Sequence, residues 1–236
     1  MKRILCALFL FSRLSAAGLD LDSAVRAVRV FTGDQLISGI DPRYSTSTII
    51  DMLNIAQYEI VDLTWCLTYE TAETISANTT YYTMPDNTFA PYRVLFGTTT
   101  LEVAHINELD RQYPAWQNDS ASWPEKYSIK TATYSAASPA IMLYPVPNTS
   151  GTLTINSVLI PTELSAGTDV PFNGDKRLIP YHSLMVLRVA SLINDVRGFE
   201  NLAARLDSQY AALLASMLNT IRIKPGEIPK KDQRSP

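Results

Sequence analysis

Apolar positions first recur at helical spacing where Leu21, Ala24, Val25 and Val28 fall at i, i+3, i+4 and i+7. Asp20 or Asp22 is placed to cap this short amphipathic helix, and Gly33 to end it. A polar loop containing Asp41-Pro42 follows. Behind a Ser45 or Ser47 cap, Ile49, Leu53, Ala56, Ile60, Leu63 and Leu67 then form a longer stripe, which predicts a helix to about Tyr69. From Thr74 to about Leu164 the period changes. Short runs rich in Thr, Tyr, Val and Ile alternate with turn residues, as strands do. The runs are Thr79–Met84, Arg93–Phe96, Thr99–Val103, Lys126–Tyr134, Ala140–Tyr144 and Leu153–Leu159, with a short helix expected within 104–117 before Pro114. Helical spacing returns after Asn173-Gly174, with Pro180 suited to a first helical position. Leu184, Leu187, Val189, Leu192, Ile193 and Val196 mark one helix, and Gly198 breaks it. Leu202, Leu206, Tyr210, Leu213, Leu214, Met217 and Ile221 mark the next. Beyond it, Pro225, Gly226 and Pro229 forbid a helix, so the tail is expected to run extended.

This order predicts an α+β fold. Striped helices at both ends need mutual cover and form a helical bundle, into which an antiparallel β insert, a small sandwich or barrel-like unit, is placed. The expected divisions are an apolar N-terminal segment at 1–18, N-terminal helices at 19–73 and the β insert at 74–165. C-terminal helices at 175–222 and an extended arm at 223–236 complete the chain. Segment 1–18 has two readings. Lys2-Arg3, the run Ile4–Phe11 and small residues at Ser15 and Ala17 fit a secretory signal cut after Ala17. Alternatively, Leu5, Leu8, Phe9 and Ser12 lie at helical spacing on an apolar helix that packs against a partner. The run is shorter than the roughly 20 residues that span a membrane.

Composition narrows the function. Hydrophobic residues make up 46% and charged residues 18%, enough for a core and too little charge for a disordered chain. The 20 basic and 23 acidic residues leave a net charge of -3, against the basic excess of a dedicated nucleic-acid binder. Their placement is uneven. Residues 1–30 hold five basic residues against Asp20 and Asp22, and residues 221–236 hold five against Glu227 and Asp232. Between these basic ends, ten basic residues face nineteen acidic ones. Such ends suit acidic partner surfaces or neighbouring copies of the same body.

Chemistry is sparse. Two cysteines, Cys6 and Cys66, exclude a disulfide scaffold or a cysteine zinc cluster, and His105 and His182 are the two histidines. Phosphate-binding, nucleophile-elbow and zinc-protease motifs are missing from the sequence. Glu102, His105 and Glu108 have a conceivable metal-ligand spacing, but surface polar residues on a connecting helix explain them as well. Trp65, Trp116 and Trp123 read as core or interface anchors. The chain is therefore read as a protein without catalytic, cofactor or metal residues, and not as an enzyme.

An ordered set of short motifs carries further information. A first helix ends at Gly33-Asp34, and the next contains Leu53-Asn54-Ile55-Ala56-Gln57-Tyr58-Glu59-Ile60. Tyr82-Thr83-Met84-Pro85-Asp86 leads to Tyr92–Phe96, and Trp123-Pro124-Glu125-Lys126-Tyr127 precedes a strand. Leu143–Pro147 then runs into Gly151–Ile155. Over roughly residues 19–222 this order resembles the head-to-tail adaptor (connector) proteins of tailed bacteriophages. The resemblance implies a structural virion protein of the phage neck, assembled in the host cytoplasm. Such proteins form a ring, commonly of twelve copies, that joins the portal protein to tail or nozzle proteins. Genomic DNA passes through without specific binding, and no membrane is involved. It further implies that the C-terminal arm reaches the portal. Ile223, Pro225, Ile228 and Pro229 are its apolar candidates, and Lys224, Lys230, Lys231 and Arg234 its charged ones. The alternative is a secreted or periplasmic β-rich binding module, supported by the signal-like start. A hydrolase lacks any nucleophile–base pair to support it.

Overall fold

The computed structural model describes residues 18–34, 43–85, 87–113, 115–130 and 140–221. The expectations for segment 1–17 and for the arm from 223 lie outside the described residues. The chain folds as two compact units, one from Thr68–Ile160 and one from the flanking sequence on both sides.

The flanking unit is helical. Helix α1 (Leu21–Thr32) starts at Asp20, whose carboxylate accepts from the Ser23 N–H, and stops at Gly33 in the left-handed region, φ 66°. Helix α2 (Thr46–Thr64) is capped by the Ser45 hydroxyl, which accepts from the Thr48 N–H. After the central unit the chain returns through two 3-10 turns, Phe172–Gly174 and Lys176–Tyr181, into α4 (Ser183–Val196) and α5 (Glu200–Thr220). Helix α3 (Ile106–Gln112) lies in the other unit. Helix α4 packs against α1, α2 and α5, and it buries Leu184, Met185, Val186, Leu187, Val189, Ala190 and Ile193. A helix apolar on nearly every side is a central one.

The Thr68–Ile160 unit is a small sandwich. One sheet has the order β1 (Thr68–Ile75), β10 (Gly151–Leu159), β3 (Thr88–Phe96), β4 (Thr99–Thr100). The other has the order β2 (Tyr81–Thr83), β8 (Ala140–Tyr144), β7 (Lys126–Lys130), β5 (Glu102–Val103). Both sheets supply its core, with Ile75, Val94, Phe96, Leu153 and Ile155 from the first and Tyr82, Tyr127, Ile141 and Leu143 from the second. Pairing is antiparallel apart from two short parallel contacts, β5 with β7 and β6 (Ser120–Ala121) with β9 (Val146–Pro147). The fold is α+β.

Periodicity and structure differ most after α2. The stripe predicts a helix to about Tyr69, whereas the helix ends at Thr64 and Trp65 turns into the left-handed region at φ 52°. Leu63 is exposed, while Leu67 is buried beyond the helix end. The strand that follows, β1, pairs residue for residue with β10 from Thr68↔Val158 to Ile75↔Gly151. It is an edge strand with Ile75 as its one buried residue, so apolar alternation gave no sign of it. Pro180 falls inside the second 3-10 turn rather than at the start of α4.

Candidate assembly surfaces

The motif residues mostly hold the chain to itself. Beside Gly33, the Asp34 carboxylate accepts from the Arg43 N–H at 2.9 Å, from the Tyr44 N–H at 3.2 Å and from Arg29 Nη1 at 3.3 Å. Arg29 also donates to the Thr46 hydroxyl at 3.1 Å. One buried ion pair thus ties the end of α1 to the start of α2. Along α2, Asn54 Nδ2 donates to the Leu164 carbonyl and Asn54 Oδ1 accepts from the Leu164 N–H, at 3.1 and 2.8 Å. One turn on, fully buried Gln57 donates to the Thr162 carbonyl at 3.0 Å and accepts from the Phe172 N–H at 2.7 Å. Two amide side chains therefore satisfy the backbone of the returning segment 162–172, where no regular ladder is available. Glu59, two residues further, pairs with Arg188 of α4 at 3.0 Å.

The same holds in the sandwich. The Tyr82 hydroxyl donates to the Thr79 carbonyl at 2.8 Å, and Met84 is buried. At Gly151 any Cβ would lie 2.5 Å from the Phe96 ring, so the residue makes room for that ring. Trp123 stands edge-on to Phe96 at 5.0 Å with 56% of its surface exposed. Trp116 is the buried tryptophan, donating to Asp110 at 2.7 Å, and Trp65 is half-buried.

The reactive groups are used structurally. His182 is buried beside Phe172 and accepts the Leu19 N–H at Nδ1, which places its proton on Nε2; burial pulls its pKa below the ordinary value. Burial pushes the Cys66 thiol up to about 11, far from thiolate chemistry. Glu102 lies on β5 and His105 precedes α3, so the candidate trio does not share a helical face. Among the described residues no three His, Cys, Asp or Glu side chains gather as a metal site.

The sequence model of the SU10 adaptor protein family matches residues 19–235. The chain belongs to the SU10 adaptor protein family. No curated protein matches it significantly. Its role as an SU10 adaptor is structural, that of a bacteriophage adaptor protein.

For an adaptor the functional site is surface. The expected portal-binding residues, Ile223 to Arg234, lie outside the described residues. The structure does display three apolar surfaces, two of which include stripe residues, Leu63, Val196 and Leu202, that periodicity assigns to a packed face and the structure leaves exposed. On the outer face of α2, Ile55 and Leu63 are exposed beside Asp51 and Asp62. At the α4–α5 corner Val196 is 80% exposed, next to Phe199 and Leu202. Arg197 stacks on Phe199 there and donates to the Thr32 carbonyl, fastening the corner to the end of α1. The third surface is a cleft of about 440 Å³ in the sandwich. Helical stripes flag apolar residues that can face a core, and only folding reveals which of them, such as Leu63 and Val196, are left over.

Proposed function

We propose that this SU10 adaptor forms a ring, twelve copies on the resemblance described above, that joins the portal protein to tail or nozzle proteins and lets genomic DNA pass. The family match over residues 19–235 carries this reading. Two features support it. The motif residues serve the fold, leaving exposed apolar faces at α2 and at the α4–α5 corner for neighbours. The charge pattern is also suitable. Basic ends flank a body with ten basic and nineteen acidic residues, and an acidic wall repels DNA phosphates so that the genome slides.

In this reading the protein resides in the virion neck after assembly in the host cytoplasm, without a membrane partner. Among the described residues no helix is long and apolar enough to cross a membrane. The arm carrying Ile223, Lys224, Pro225, Ile228, Pro229, Lys230, Lys231 and Arg234 docks on the portal, its isoleucines as anchors and its cations against an acidic groove. Cryo-electron microscopy of virions tests the ring directly, and a protein absent from virions and monomeric beside the portal overturns it. Deleting residues 223–236 is expected to leave a folded protein that no longer binds portals; full occupancy by the truncated protein removes the arm from the mechanism.

A further inference from the structure

Among the described residues the sandwich is open on one flank. Strand β3 pairs with β10 along its length, but on its other side β4 covers only Leu95 and Phe96. Among the described residues, the stretch Thr88–Arg93 therefore has a free edge, and Pro91 in it is a residue that only such positions tolerate. Facing this edge across the 440 Å³ cleft are β5, the start of α3 and β7. Met84 and Ile129, which touch the sandwich core, line the cleft, and its rim residues Phe89 and Val103 are 50% and 62% exposed. Thr88 also lines it, 6% exposed, with a buried hydroxyl that has no hydrogen-bond partner. An unpaired buried hydroxyl and an unpaired strand edge in an apolar cleft are the marks of a missing strand.

We propose that the cleft receives residues Lys2–Phe11 of a neighbouring copy, laid as an added strand along the free edge of β3. The inference rests on the ring reading above, which sets copies side by side. Of the longer stretches outside the described residues, 35–42 and 131–139 are each tied at both ends within their own copy, which leaves segments 1–17 and 222–236 as candidate strands. The C-terminal arm carries Pro225 and Pro229, which break a row of N–H donors. Segment 1–17 has neither Pro nor Gly, and Ile4–Phe11 is apolar at every position, as a strand covered on both faces must be. Charge agrees. Lys2, Arg3 and Arg13 flank the run, while Glu102 and Glu108 adjoin the cleft-lining residues Val103 and Asn107. Seventeen residues ahead of Gly18 reach about 55 Å when extended, enough to cross to a neighbour.

Native Cys6 makes the test simple. The full-length protein carrying Phe89→Cys or Val103→Cys is brought to the concentration where native mass spectrometry reports rings, then oxidised with copper–phenanthroline. Strand donation is expected to give disulfide-linked dimers and ladders, with peptide mapping joining Cys6 to the introduced thiol and with Cys6→Ser abolishing them. Thr98→Cys, exposed at the far end of β3, is the control. Local concentration should make the cleft variants cross-link roughly tenfold more than the control. Rings with no cleft cross-link, equal cross-linking at Thr98, links confined within single chains, or a mature protein lacking residues 1–17 each overturn strand donation and leave the ring intact. Absence of both rings and cross-links overturns the two proposals together.

Discussion

Replacing Gln57 with Leu is the sharpest probe of how this fold is held. The side chain is fully buried, and both ends of its amide are engaged, by the Phe172 N–H at 2.7 Å and the Thr162 carbonyl at 3.0 Å. Leucine keeps most of the volume and removes both partners. The Phe172 N–H is then buried and unpaired, at a cost of about 1–3 kcal/mol. Thr162 is exposed, so its carbonyl regains water and loses about 1 kcal/mol or less. Phe172 and Asn173 both sit at positive φ, 54° and 57°, so the strained turn also loses the bond that steadies it. The expected total is about 2–4 kcal/mol, which for a chain of this size lowers Tm by about 4–15 °C. Ellipticity at 222 nm during denaturation is a suitable readout, because α1, α2, α4 and α5 all lie in the affected unit. A companion Gln112→Ala, which removes an exposed bond to Glu108, should cost under about 0.5 kcal/mol. A Gln57→Leu protein as stable as that control would refute the assignment of the amide as a structural clamp.

Three further outcomes are expected. Gly151→Ala should destabilise the sandwich by about 1–3 kcal/mol in chemical denaturation, because its Cβ would sit 2.5 Å from the Phe96 ring; wild-type stability would mean the ring moves aside freely. His182 titrates below its ordinary 6.5 because burial disfavours its charged form, so the unfolded chain takes up the proton first. The stability it contributes is full above about pH 6.5 and is lost as pH falls from there through the folded value; His182→Asn, which keeps an acceptor for the Leu19 N–H, should flatten that slope. In a Cys6→Ser background Cys66, buried and raised to about 11, should resist a disulfide reagent at pH 8 until the protein unfolds, and rapid labelling of the native protein would contradict its burial.

The one-dimensional pattern was enough for elements with a wet side and a dry side. The stripe Leu21, Ala24, Val25, Val28 specifies α1 and its buried face, and Leu153 and Ile155 mark the buried face of β10, because burial imposes a period that the chain must carry. The α+β class and the adaptor family were legible for the same reason, since the order of turns and capped helices is written along the chain. Strand β1 was not legible. Its residues Thr68 to Thr74 stay largely in water, and what makes them a strand is the ladder offered by Gly151–Leu159, some eighty residues away in sequence. The roles of Asn54 and Gln57 were equally hidden: a motif can show that amides occur on a helix, but not that segment 162–172 comes back to be bonded by them. The cleft beside β3 is lined by residues of β3, β5, β7 and the start of α3, segments far apart in sequence, so no local pattern announces it. Local sequence sets which face each element must bury. Which backbone groups and apolar residues remain without a partner is decided only when distant segments meet, because hydrogen bonds and burial between them depend on position in space.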